Sequence, residues 1–360
     1  MSEFKPGLEG IVAFETEIAE PDRDGGALRY RGVDIEDLVG NVPFEKVWGL
    51  LVDDELEPGL QRAATYPAHN LTGNAPADLQ AVTAHLGGEW GLGQLIDINA
   101  EEARSDLARL SATMISVVAQ SARIADGQTE PIDPELVATG STAATRFLLE
   151  WRGEADPKHV QAIDTYWICT AEHGLNASTF AARIVASTGA DCAASLSSAV
   201  GALSGPLHGG APARVLPMLD GAAAAKSIDG YVRDLLDSGE RLMGFGHRVY
   251  RAEDPRARLL RGAAMDLGSP RFDVAQELER VALAELHARK PDRVLATNVE
   301  FWSAVVLDVA DIPPKLAPAM FACSRTAGWS AHILEQKRLG RLVRPSATYV
   351  GSAPRPMPGT

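Results

Sequence analysis

Three of the eight histidines in this 360-residue chain stand where the backbone is free to bend toward a ligand. His208 lies in GPLHGG, flanked by Gly205, Pro206, Gly209 and Gly210; His247 ends the run GFGH after Gly244 and Gly246; His173 comes just before a helix-capping Asn176. Glycine beside a histidine permits positive φ and a close approach of the main chain to a bound molecule. The other five, His69, His85, His159, His287 and His332, lie in polar or amphipathic contexts and read as surface or core-edge residues. Between Arg241 and Arg261 there are six arginines, against only Glu253 and Asp254 after Glu240, a local cationic patch suited to phosphate or carboxylate. Asn298-Val299-Glu300 precedes the apolar FWSAVVL, so Glu300 belongs to the first turn of a helix capped by Asn298, where the dipole favours a carboxylate. Arg325 falls among Ala, Met, Phe and Cys, and a guanidinium in such surroundings calls for an anionic partner. The three histidines and Glu300 would also serve as metal ligands, but the arginines around them would repel a divalent cation, so no metal is expected.

The elements that must position these groups read as helices. Val274, Leu278 and Val281, or Leu316, Met320, Cys323 and Ala327, repeat at three-and-four spacing. Asn176 caps ASTFAARIVAS, Pro313 and Pro314 open a segment that Gly340 closes, and residues 8–31 hold the one extended stretch, with Ile11, Ala13 and Glu15 on one face and a turn at PDRDGG. Residues 66–78 and 126–134 read as polar loops. With well over ten helical segments and no β–α alternation, the expected class is mainly α.

Composition narrows the function. Forty-eight acidic against 34 basic side chains leave a net charge of −14, and the pI is near 5.1. That overall field disfavours nucleic acid and anionic lipid, which are bound through phosphate neutralisation. At roughly 150 residues per domain, the length suggests two domains. A mean hydropathy of −0.06 with no long apolar run argues against a membrane span. MSEFKPGLEG lacks the basic-then-apolar pattern of a signal peptide, and three scattered cysteines, Cys169, Cys192 and Cys323, suit a reducing cytoplasm.

GPLHGG and GFGHRVYRAEDPR together resemble the two central motifs of the citrate synthase family, and the similarity runs from GLEGIVAFETEIAE and LRYRGVDIEDL to RLVRPSATYVG. The resemblance implies a two-domain helical fold with a cleft between a large domain, 1–206 with 316–360, and a small domain, 207–315. It implies condensation of acetyl-CoA with oxaloacetate and hydrolysis of the citryl thioester, in the tricarboxylic acid cycle. His208 then matches the donor to the thioester oxygen, His247 the group that polarises the ketone, and Glu300 the base, at a place where the family commonly has Asp in N-V-D. His173 matches a substrate-binding histidine, although the usual D-H-E run is here Glu172-His173-Gly174. Arg256, Arg325 and Arg344 match the arginines that hold the oxaloacetate carboxylates, Arg344 reaching in from the other subunit of a homodimer. Arg248 and Arg251, with Gly244 and Gly246, match the coenzyme A contacts, the thioester being a co-substrate rather than a tightly bound cofactor. The same motifs fit 2-methylcitrate synthase, which uses propionyl-CoA, since one methylene in an apolar pocket discriminates by only about 1–3 kcal/mol. They fit equally a protein that binds these metabolites without turnover.

Overall fold

The computed structural model of the chain describes residues 4–357 except 23, 25, 68–70, 207, 210–213, 247–249, 251–252 and 292–294. Fifteen α-helices among the described residues carry the fold: α1 (Ile35–Leu38), α2 (Phe44–Asp53), α3 (Ala75–Glu89), α4 (Ala100–Ala125), α5 (Pro134–Ala138), α6 (Ala143–Arg152), α7 (Pro157–Thr170), α8 (Ala177–Ser187), α9 (Cys192–Leu203), α10 (Val215–Ala224), α11 (Ile228–Asp237), α12 (Pro255–Asp266), α13 (Phe272–Arg289), α14 (Val299–Val309) and α15 (Ala317–Leu339). The mainly α class expected from periodicity is what forms.

The extended stretch forms later in the chain than expected. Three short strands, β1 (Ala19–Pro21), β2 (Leu28–Tyr30) and β3 (Val33–Asp34), make one antiparallel sheet in the order β1-β2-β3. Ala19 opposes Tyr30, and Tyr30 opposes Val33. Residues 11–17 have no strand partner among the described residues, so Ile11 and Val12 stay exposed despite their alternation. The loop expected to reach residue 78 stops at 74. Pro76 fits the first turn of α3, and Asp78 folds back to accept the amides of Thr72 and Gly73. The second loop runs between α4 and α5 as expected.

Most of α15 is buried, because helices α2, α4, α7, α8 and α9 surround it. Aromatic rings fill the layer beside it: Phe44 and Phe147 lie 5.4 and 5.7 Å from the Trp167 ring, whose Nε1 donates to Met320 O at 3.1 Å. One 3₁₀ turn at Pro314–Leu316 leads into α15, and Gly340 closes it at φ +64°. Helices α10–α14 pack on one another, and α12 and α14 also pack on α7. All three cysteines are free and buried, Cys169 and Cys323 in the core around α7 and α15, and Cys192 at the start of α9. No helix among the described residues is long and apolar enough to cross a membrane.

Candidate active site

His208 is presented by the turn that ends α9. Its amide donates to Gly205 O at 3.0 Å, and that of Gly209 donates to Leu203 O at 2.9 Å. A Cβ on Gly209 would lie 2.6 Å from Leu203 O, so the residue after the histidine has to be glycine for the turn to close this tightly. On the other side, His208 Nε2 is 2.9 Å from the Ser178 hydroxyl in the first turn of α8. Ser178 Oγ also accepts from Trp329 Nε1 of α15 at 3.2 Å. Asn176 Oδ1, the cap of α8, accepts the amides of Ser178 and Thr179, each at 3.1 Å, and the Ser178 hydroxyl at 2.8 Å. Burial, aided by the nearby Arg325 charge, pushes the His208 pKa down to about 4, so the ring is neutral at physiological pH.

Glu300 and Arg256 are brought together by two helix starts. Asn298 caps α14 through a 3.0 Å bond from Glu300 N to its Oδ1, and its Nδ2 donates to Gly246 O at 3.0 Å. Asp254 caps α12 by accepting Arg256 N at 3.0 Å, and grips the same arginine's guanidinium through Nε at 2.9 Å and NH2 at 2.8 Å. Asp254 Oδ2 also accepts Val299 N at 3.1 Å, which ties the start of α12 to that of α14. Burial raises the Glu300 carboxyl to about 7; the Arg256 charge works against that rise and Asp254 adds to it.

Gly244 and Gly246 build this joint with their backbone. At φ +84° and +89° they bracket Phe245, which pairs with Thr297, while Gly246 N donates to Ala296 O and Asn298 N to Gly244 O. A Cβ on Gly244 would meet Phe301 Cβ at 2.6 Å. The expected glycine motif is thus a clasp on the start of α14, whatever it also offers a ligand.

Arg325 projects from α15 as one of the largest fully buried side chains. Its Nε donates to Thr170 O at 2.8 Å, and its guanidinium lies 4.7 Å from the Phe321 ring, which also packs edge-on against His208. Burial lowers its pKa, and Glu172 is the leading charge that opposes the drop. His173 follows on the α7–α8 connection, with Nε2 3.0 Å from the Tyr250 hydroxyl. Tyr30 of β2 holds that connection from behind, donating to Ile168 O at 3.0 Å and lying 3.2 Å from Glu172 O.

The structure therefore gathers His173, His208, Arg256, Glu300 and Arg325. Arg344 lies in the exposed segment without regular secondary structure after α15, and it makes no side-chain hydrogen bond among the described residues. His247, Arg248 and Arg251 fall outside the described residues. His332, read from sequence as surface or core-edge, is only 1% exposed: its Nε2 is 3.2 Å from Glu172 Oε1 and its Nδ1 3.0 Å from Arg183 NH1. The apolar pattern of α15 carried no sign of that pairing, because both partners are about 150 residues away in sequence. Ser178, Tyr250 and Asp254 are further site residues that sequence reasoning missed. For Asp254 a signal existed, since Asp-Pro-Arg is a helix start in which Asp takes the cap.

The chain matches the family described as citrate synthase, C-terminal domain, over residues 7–346. It is 60% identical to a Mycobacterium tuberculosis protein provisionally named citrate synthase 2, over 354 residues covering 98% of this chain and 94% of that one. It is 36% identical to the citrate synthase of Haloferax volcanii, covering 97% and 96% of the two chains. Against the 2-methylcitrate synthase of Shewanella oneidensis the identity is 33%, covering 97% and 95%. In three dimensions it resembles a citrate synthase from the thermophilic archaeon Thermoplasma acidophilum, solved with carboxymethyl coenzyme A and oxaloacetate. The TM-score is 0.86 at 27% identity, over 99% of this chain and 98% of that one.

Proposed function

The chain belongs to the citrate synthase family, and on that premise we propose that the gathered side chains condense acetyl-CoA with oxaloacetate. The observation that carries this reading is that a neutral His208 stands near the Arg325 charge and a Glu300 carboxyl raised to about 7 near that of Arg256, the two arginines acting on each other. Glu300 takes a proton from the acetyl methyl group, and the neutral His208 ring donates to the thioester oxygen as enolate charge develops there. A donor that stays neutral and fixed in a desolvated place stabilises that charge without reorganising. The new carbon–carbon bond forms at the oxaloacetate ketone, which His247 polarises. Water then cleaves the citryl thioester, giving citrate and free coenzyme A.

Arg256 and Arg325 hold the oxaloacetate carboxylates, and Asp254 sets the guanidinium plane of the first. His173 binds the same substrate. Arg344 serves the site of a second copy, which makes a homodimer the smallest active unit; its exposure after the end of α15 supports that assignment. Arg248 and Arg251 bind coenzyme A phosphates at the GFGH turn. Residues 1–206 with 316–360 form the large domain and 207–315 the small one, supported by the mutual packing of α10–α14. The protein acts in the cytoplasm.

Thiol release tests the reading. With oxaloacetate present, acetyl-CoA should give coenzyme A and citrate, with a kcat/KM above that for propionyl-CoA. A reversed ratio favours 2-methylcitrate synthesis, and binding of both substrates with no thiol release identifies a protein that binds them without turnover.

A further inference from the structure

Behind the site, five charged or polar side chains form a buried row that the condensation chemistry does not use. Glu172 is fully buried, and its Oε1 lies 3.2 Å from His332 Nε2. His332 Nδ1 lies 3.0 Å from Arg183 NH1. A guanidinium can only donate, so Nδ1 is the acceptor and the imidazole proton sits on Nε2, directed at Glu172. Arg183 is itself fixed by an ion pair with Glu335, by Gln336 Oε1 at 3.2 Å, and by the Phe14 ring 4.0 Å from its guanidinium.

The backbone of α15 is shaped to admit this row. A Cβ on Gly328 would fall 1.9 Å from Glu172 Oε2 and 2.7 Å from Ala171 O, so the α7–α8 connection lies directly on the helix at that point. Gly328 N donates to Ala171 O at 3.2 Å. Arg325 and His332 lie one turn before and one turn after Gly328 on the same face. The connection clamped here supplies Thr170 O, which holds Arg325 Nε, and His173.

We propose that His332 and Glu172 are positioning residues for the dicarboxylate substrate: the His332–Glu172 bond pins the Thr170–His173 connection onto α15 and so fixes Arg325 and His173 in their binding geometry. This rests on the reading that Arg325 and His173 bind oxaloacetate. Neither His332 nor Glu172 is assigned contact with the thioester, so the effect belongs to one substrate. A gap at His332 loosens the connection, whereas Gln at that position offers an acceptor and a donor at a similar separation.

The test measures oxaloacetate KM, acetyl-CoA KM and kcat for His332→Ala and His332→Gln, with folding checked by circular dichroism. His332→Ala should raise the oxaloacetate KM at least tenfold while leaving kcat and the acetyl-CoA KM within threefold, and His332→Gln should bring the oxaloacetate KM back to within threefold of wild type. A folded His332→Ala enzyme with an unchanged oxaloacetate KM, or with both KM values raised alike, overturns the proposal. If His332→Ala does not fold, Phe14→Ala loosens Arg183 from outside the site and should raise the oxaloacetate KM about threefold; no change overturns the proposal. Direct titration of oxaloacetate into Arg325→Lys separates the two levels. Weakened binding there with intact binding in His332→Ala removes only the positioning role, while intact binding in Arg325→Lys removes the reading of Arg325 and this inference with it.

Discussion

Replacing Glu300 by Gln should slow the enzyme and stabilise its fold at the same time. Gln keeps the size and the place in the first turn of α14 but carries no charge at any pH. Burial lifts the Glu300 carboxyl from 4.5 to about 7, which at about 1.4 kcal/mol per pH unit corresponds to a cost of about 3 kcal/mol for keeping it ionised in the folded chain. Because the folded pKa lies above the unfolded one, the stability tied to the bound proton is complete below pH 4.5 and is lost as pH rises through about 7. At pH 8 the wild type carries the whole cost and Glu300→Gln none; at pH 4.5 the two should match. An unfolding entropy of about 2.1 cal/mol/K per residue turns about 3 kcal/mol into about 4 °C for 360 residues. Calorimetry at the two pH values reads this difference. Turnover should move the other way, with kcat down by about 10²–10⁴, the usual range for a positioned base, and the acid limb of the pH profile near 7 removed. A Gln variant that turns over at the wild-type rate takes Glu300 out of the mechanism. An unchanged Tm at pH 8 shows instead that the carboxylate is well solvated in the native site.

Four further outcomes follow from the proposed function and the geometry together. Arg344→Ala and His208→Ala homodimers should each be nearly inactive while mixed dimers regain part of the activity; mixed dimers that stay dead after demonstrated subunit exchange rule out an arginine acting in trans. Asp254→Asn turns an acceptor edge into an amide facing Arg256 and Val299 N, so urea unfolding should show a loss of about 3–5 kcal/mol, as when a buried ion pair is broken, together with a raised oxaloacetate KM. Gly244→Ala should destabilise more than Gly246→Ala, because both residues have positive φ but only the first would drive a Cβ to 2.6 Å from Phe301; equal Tm losses would mean that strain alone matters. Oxaloacetate should tighten binding of a non-reactive acetyl-CoA analogue as the cleft closes, and titrations giving equal affinity with and without it rule out that order.

Much of the site could be read in the sequence because it is built from helix starts and turns, which are local. Asn176, Asn298 and the glycines around His208 and His247 announce themselves through capping and turn chemistry within a few residues. The strands of the sheet were too short to be placed by alternation; at two or three residues each they are fixed by pairing, not by pattern. The α3 boundary moved because Pro76 looks like a loop residue until its place in a first turn is known. What stayed illegible is what joins distant segments. Ser178 beneath His208, the tie from Asp254 to Val299 and the pairing of His332 with Glu172 bridge 30, 45 and 160 positions, and nothing in the local composition of either partner reports the other.

The burial of all three cysteines has a practical consequence for following turnover. The thiolate is the form that attacks a disulfide reagent, and burial raises Cys169, Cys192 and Cys323 well above their ordinary pKa while shielding them from solvent. Coenzyme A freed by the reaction is then the only thiol that such a reagent meets in a sample of native protein, so the colour that develops counts product without a protein blank. Denaturant exposes three equivalents per chain. Read before substrate is added, the same reagent reports the fraction of molecules that have unfolded, and read afterwards the number of turnovers, which tells a slow variant from a partly unfolded one.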